Sequence, residues 1–233
     1  MINSIFFAPC AWYMHFHIGA WRALKEEGYL ERITSLGGGS SGSLTAFLLA
    51  SGVDENVIDR KISDIALMYP GILCWGKMSR IVGETIDEWV INDDKDWVYQ
   101  PYAVVTNVQI DLPPVGPRFI ISPPQSDREN VKNLILSSCY FPVMYEKVPK
   151  WNGKFVLDGG AFLMNLTIPN TLTISPYMKS CGNVIGYEEG SQEEEVLNCR
   201  KFGSLFPDKE HLVKVRDCGY TSAKKWLDNY SEK

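Results

Sequence analysis

Histidine is scarce in this chain, which has three, at positions 15, 17 and 211. Any mechanism that needs an imidazole base therefore has few candidates. The six cysteines, at 10, 74, 139, 181, 199 and 218, form no C-x-x-C pair and no zinc-ligand spacing. They are expected to be reduced, buried thiols of a cytoplasmic protein rather than a disulfide framework. A basic excess is missing too. The net charge of −5 and the pI near 5.3 argue against a nucleic-acid partner. No apolar run is long enough to span a bilayer. The apolar N-terminus has no basic start and is interrupted by Pro9, His15 and His17, so no secretory signal is expected. Internal repeats are absent. What remains is an ordinary globular composition, 45% hydrophobic and 22% charged over 233 residues, read as one domain spanning 1–233.

The most informative stretch is Thr34-Ser35-Leu36-Gly37-Gly38-Gly39-Ser40-Ser41-Gly42-Ser43-Leu44. Ile33 to Leu36 reads as a buried strand, and Leu44, Phe47 and Leu48 open an apolar helix that Gly52 stops. Between them Gly38-x-Ser40-x-Gly42 fits a nucleophile elbow, in which a serine sits on a strained strand-to-helix turn. The amide end of the following helix favours a developing anion. Other readings compete. The composition is that of a flexible linker, although a linker rarely abuts a strand and a helix. Gly37-x-Gly39-x-x-Gly42 also matches a dinucleotide fingerprint, but the next segment, Glu55 to Met68, reads as helix instead of the strand that motif requires. A phosphate loop lacks its lysine after the last glycine.

In chain order the pattern predicts a strand at Ile5–Ala8, a helix over Phe16–Glu27 closed by Gly28, and then the elbow. That order opens a parallel sheet covered by helices, whose ligands collect at the carboxyl ends of the strands. A helical insert is expected over about 54–95, with Asp54 as N-cap. Its Met68, Tyr69, Leu73, Trp75 and Met78 suit either core packing or an acyl-chain groove, with packing the simpler reading. Strands follow at Tyr102–Asn107, Arg118–Ser122 and Phe155–Leu157, with a turn at Pro113–Pro117 and a helix at Asp127–Ser137. Thr171–Ser175 reads as the last strand, and Glu188–Glu195 as a solvated acidic loop. A helical tail over about 205–233 carries a helix at Lys209–Asn229, with a break expected at Gly219.

Ser40 needs a base. Ser40, Asp158 and His211 fall in the order of an α/β-hydrolase triad, but that fold builds several strands before its elbow, and the surroundings of His211 read as exposed. Asp158 is the stronger candidate. It ends a strand, and Gly159 and Gly160 let the chain turn tightly there, although Asp-Gly also makes ordinary turns.

Gly38-Gly-Ser40-Ser-Gly42-Ser-Leu44 with Asp158-Gly159-Gly160 downstream resembles the patatin-like phospholipase family. Phe16-His17-Ile18-Gly19, Ser137 to Val143, Asn152 to Leu157, Asn165 with Pro169, and Cys218-Gly219-Tyr220 are similar to further family elements, from about Ile5 to Leu227. The resemblance implies a three-layer α/β/α sandwich with a mainly parallel central sheet. It also implies metal- and cofactor-free hydrolysis of lipid or phospholipid acyl esters by a Ser40–Asp158 dyad through an acyl-enzyme. One departure stands out. The glycine-rich oxyanion loop of the family is replaced by Pro9-Cys10-Ala11-Trp12-Tyr13-Met14. Pro9 has no N–H, so the amides of Cys10, Ala11, Trp12 and Ser41 are the candidate donors. A weakly active or inactive lipid-binding relative is the competing reading. His15 and His17 read as packing or capping residues. Trp226 with Lys224 and Lys225 is a candidate for transient membrane contact, and an ordinary amphipathic helix face explains them equally well.

Overall fold

Ile5, Phe6 and Phe7 are an apolar run with no polar interruption, and they form the buried strand at the centre of the sheet, β1 (Ser4–Phe7). The computed structural model describes residues 2–89, 97–107, 118–122, 128–142, 144–151, 153–158, 168–198 and 207–230. From β1 the chain passes through α1 (Met14–Glu26) to β2 (Ser35–Gly39), then through α2 (Ser41–Ala50), α3 (Glu55–Met68) and α4 (Met78–Trp89) to β3 (Gln100–Asn107). Next come β4 (Arg118–Ser122), α5 (Arg128–Ser138), β5 (Lys150–Trp151) and β6 (Lys154–Leu157). The chain closes with β7 (Thr171–Lys179), β8 (Val184–Tyr187), α6 (Gln192–Asn198) and α7 (Lys209–Tyr230).

Five strands, in the order β3-β2-β1-β7-β8, are parallel and flanked by helices, so the mixed α/β sandwich expected from the sequence is the fold observed. Strand β1 pairs β2 on one side and β7 on the other. The strand order reverses between β1 and β7, so the loop leaving β1 borders the usual ligand crevice of such sheets, and the loop leaving β2 lies beside it at the same carboxyl edge. Among the described residues no helix is long and apolar enough to cross a membrane.

The two halves of the candidate dyad are brought together by strand β3. Its Ala103 and Val104 pair both β2 and β4, and its Thr106 and Asn107 pair both β4 and β6. A strand has two edges, so β4 occupies one and β2 and β6 share the other. Strand β2 runs parallel to β3 and stops opposite Val104, whereas β6 runs antiparallel and stops opposite Thr106. Their carboxyl ends meet head-on, Ser40 leaving one and Asp158 the other.

Several expectations change. Thr171–Ser175 is not the last strand, because β8 follows, and part of the supposed acidic loop is α6, with Glu193 buried against Lys225. Helix α7 runs through Gly219 unbroken. The described cysteines, 10, 74, 139, 181 and 218, are free thiols, and all but the exposed Cys181 are buried. Of the insert cluster expected to pack, Met68, Leu73 and Trp75 are exposed instead, while Met78 packs against the core. The turn at Pro113–Pro117 and the insert's end near Asn92–Asp94 lie outside the described residues, as do Gly159, Gly160, Val143, Asn152, Asn165 and Cys199.

Candidate active site

Ser40 has φ +53° and ψ −133°, a backbone conformation that L side chains rarely adopt. Such strain persists only where the surroundings enforce it. Here Gly38 and Gly42 supply the fit. A Cβ at Gly38 would meet the Gly42 backbone, and one at Gly42 would strike the Phe7 carbonyl oxygen. With both side chains absent, the elbow nests against β1. The turn is also tied from three directions. The Ser40 N–H donates to Ser138 Oγ (3.0 Å), and Ser138 Oγ donates in turn to the Val104 carbonyl of β3 (2.6 Å). Ser43 Oγ donates to the Ser40 carbonyl (2.6 Å).

Across 118 residues of sequence, Ser40 Oγ donates to Asp158 Oδ2 at 2.6 Å. Asp158 is 7% exposed, and its N–H is held by the Tyr140 carbonyl (2.8 Å). Two thiols lie close by. Burial pushes Cys10 up to about 12 and Cys139 likewise to about 12, with the Asp158 charge adding to the shift of Cys139. Both are therefore neutral at ordinary pH, which leaves the Ser40 hydroxyl as the available nucleophile. The Tyr145 phenol is also kept protonated, by burial first and by Cys139 and Asp158 next.

Next to the pair lies a cavity of about 420 Å³, inside the usual range of roughly 300–1,000 Å³ for small-molecule sites. Leu44, Ile62, Met78, Val82 and Phe141 are among the apolar residues of its wall, and Lys61 is among its polar ones. Residues Pro9 to Trp12, Ser40, Ser41 and Asp158 also border it.

The glycine-free loop takes a positive φ all the same, at Ala11 (+50°). The Cys10 amide, expected to be an oxyanion donor, is already engaged, donating to Ser41 Oγ at 3.1 Å. The amides of Ala11 and Trp12, at the start of the helical turn leading into α1, have no partner among the described residues, and neither does that of Ser41 at the start of α2. Side chains hold the loop. His15 Nδ1 meets the Trp12 carbonyl (3.2 Å), His17 Nδ1 faces Cys10 Sγ (3.8 Å), and Tyr177 Oη donates to the Cys10 carbonyl (3.4 Å). His211 is not exposed. It is buried, with Nε2 at 2.7 Å from Tyr13 Oη. The position at Ser40 Oγ that a triad histidine would take is occupied by Asp158. All three histidines thus brace one loop, as packing residues. Ser138 enters the sequence reading only within the Ser137–Val143 family stretch and Tyr177 not at all, because only the folded chain brings them to the elbow and the loop.

Trp226 is 1% exposed, donates to the Gly182 carbonyl (2.7 Å) and meets the Tyr29 ring edge-on. Lys224 and Lys225 pair with Glu27 and Glu193. The membrane contact expected there is overturned, because the ring is core.

No family model matches the chain, and no curated protein matches it. Solved structures do. VipD from Legionella pneumophila aligns with a TM-score of 0.57 at 11% identity, over 98% of this chain and 67% of its own. ExoU from the type III secretion system of Pseudomonas aeruginosa, in its heterodimeric complex with SpcU, aligns with a TM-score of 0.52 at 13% identity, over 97% and 52%. A further structure of the type III effector ExoU gives 0.52 at 9% identity, over 97% and 53%. What they share is the fold. The patatin-like resemblance is supported at that level, and the chain spans about half the length of the ExoU chains.

Proposed function

We propose that this chain is a serine acyl hydrolase that cleaves acyl esters of glycerolipids. The reading rests on one observation, the 2.6 Å hydrogen bond from Ser40 to Asp158 beside an apolar cavity. Ser40 Oγ attacks the ester carbonyl carbon while Asp158 accepts its proton. The charge that develops on the carbonyl oxygen falls to the unpartnered amides of Ala11, Trp12 and Ser41. The tetrahedral adduct then collapses to an acyl-serine, and the leaving alcohol takes the proton back from Asp158. Water activated by Asp158 next attacks the acyl carbon, releasing the acid and restoring the Ser40 hydroxyl. The water-poor wall of Leu44, Ile62 and Val82 holds the acyl chain and strengthens the charge interactions inside. We further propose a cytoplasmic protein that visits lipid surfaces.

A serine-directed fluorophosphonate tests this reading. Wild type should be labelled and should release acid from a phospholipid. Ser40→Ala should abolish both, and Asp158→Asn should slow labelling by about 10²-fold or more. Labelling undiminished in Ser40→Ala would end the proposal.

A second reading is favoured by the Cys10 amide being spent on Ser41. The loss of one oxyanion donor costs about 10²–10³ in rate, and a chain with too few donors would bind lipid without turning it over. Lipid binding with no labelling at all would select this reading.

A further inference from the structure

The apolar wall of the cavity continues onto the surface. Met78, Phe141 and Met144 line it, and Phe141 is itself half exposed. Just outside, Leu73 and Trp75 are each 51% exposed, and Met68 and Val148 are exposed as well. Two segments, 68–80 and 141–155, carry these residues and are stitched together. The N–H groups of Lys77 (3.2 Å) and Met78 (3.1 Å) donate to the Met144 carbonyl, and the Ser79 N–H donates to Glu146 (2.8 Å). Large apolar side chains left in water around a cavity mouth mark an interaction surface.

The charge of the rim identifies the partner. Segment 68–80 has Lys77 and Arg80, the latter paired with Glu84 a turn later (4.0 Å), and segment 141–155 has three lysines against the single Glu146, in a chain whose net charge is −5. Two of the lysines sit at aromatic faces, Lys77 over Tyr69 (5.7 Å) and Lys150 over Phe155 (4.9 Å). Aromatic and aliphatic groups ringed by ammonium heads suit an interface of acyl chains under anionic headgroups. Continuity with the cavity favours the same occupant, since the mouth opens where a chain from a bilayer would enter.

We propose that the rim formed by Leu73, Trp75, Phe141 and the neighbouring lysines docks this protein on an anionic lipid bilayer, with the cavity mouth facing the membrane. Docking is separable from the hydrolase reading because it can be measured on Ser40→Ala protein by flotation with phosphatidylcholine vesicles, with and without phosphatidylglycerol. The protein should float with the anionic vesicles and much less with the neutral ones. Leu73→Ser/Trp75→Ser and Lys147→Glu/Lys150→Glu should each lower the bound fraction at least about tenfold. Lys224→Ala/Lys225→Ala should bind as before, and thermal melts should show each variant folded. The proposal is overturned by no flotation, by equal flotation with neutral vesicles, by retained binding in either rim variant, or by a soluble dimer that Leu73→Ser/Trp75→Ser dissolves. Intact docking by a wild type that fails to hydrolyse lipid would count against the hydrolase reading alone.

Discussion

Ser138 shows how much of this site depends on a single hydroxyl. It accepts from the nucleophile's own amide and donates to Val104, so it fixes the strained elbow relative to β3. Ser138→Ala leaves the Ser40 N–H and the Val104 carbonyl short of a partner, at a cost of about 1–3 kcal/mol when such groups are buried. It should also let Ser40 drift from Asp158. Misplacement by about 1 Å can cost on the order of 10²-fold. Phosphonate labelling should therefore slow by about tenfold or more with the fold intact by circular dichroism, and Ser138→Thr should restore part of the rate. Equal labelling of Ser138→Ala would mean that the elbow holds itself. Residues of this kind were illegible in the sequence. Ser40 and Asp158 stand inside local patterns whose glycines report the backbone they need, whereas Ser138, Tyr177 and His211 matter through partners far away in sequence. His211 read as exposed because Lys209, Glu210 and Lys214 surround it, yet its own side chain points inward to Tyr13.

The pairing of α1 with α7 turns on two glycines. A Cβ at Gly19 would meet the Arg216 carbonyl, and one at Gly219 would meet the Phe16 carbonyl, so each helix presses its backbone against the bare position of the other. That contact explains why a glycine read as a helix break lies in an unbroken helix: glycine signals both, and only the partner helix decides. The crossing also gathers charge. Asp59 of α3 receives Arg216 of α7 (3.1 Å) and Arg22 of α1 (3.4 Å), with His15 Nε2 at 3.8 Å. Gly219→Ala should push the two backbones apart and destabilise the protein by about 1–3 kcal/mol, the usual cost of overpacking. A urea melt would show this as a lowered midpoint. An unchanged midpoint would mean that the helices do not touch there. Helix α6 escaped the sequence reading because Glu188 to Glu195 looks solvated, and the burial of its Glu193 depends on Lys225 from α7. Trp226 was misread for the same reason, since helical spacing gives a face but not what covers it.

At the scale of the whole molecule the parallel α/β order was legible, because apolar strands alternate with helices through the first half of the chain. The sharing of one edge of β3 by β2 and β6, which makes the site, was not, because pairing partners leave no local trace. Global stability carries a testable mark of the core as well. His17 is fully buried against Phe7 (5.2 Å between rings), and burial lowers its pKa to about 3, with backbone groups of Ala8 and Ile174 opposing only partly. His15 is lowered in the same direction, burial outweighing Asp59. In the unfolded chain both titrate near 6.5. Below that value the unfolded state binds protons that the folded state refuses, so stability falls with falling pH. The contribution is complete above pH 6.5 and declines through the interval from 6.5 toward 3. His17 should remove about 1.4 kcal/mol per pH unit there, and His15 adds a loss of the same sign. Asp54 and Glu193, whose pKa values are lowered, act with the same sign only nearer the carboxylate range, so the interval from about 6 to 5 isolates the histidines. Urea midpoints measured across that interval should fall steadily in wild type and less steeply in His17→Gln. A flat wild-type profile would require His17 to accept a proton inside the fold despite its burial.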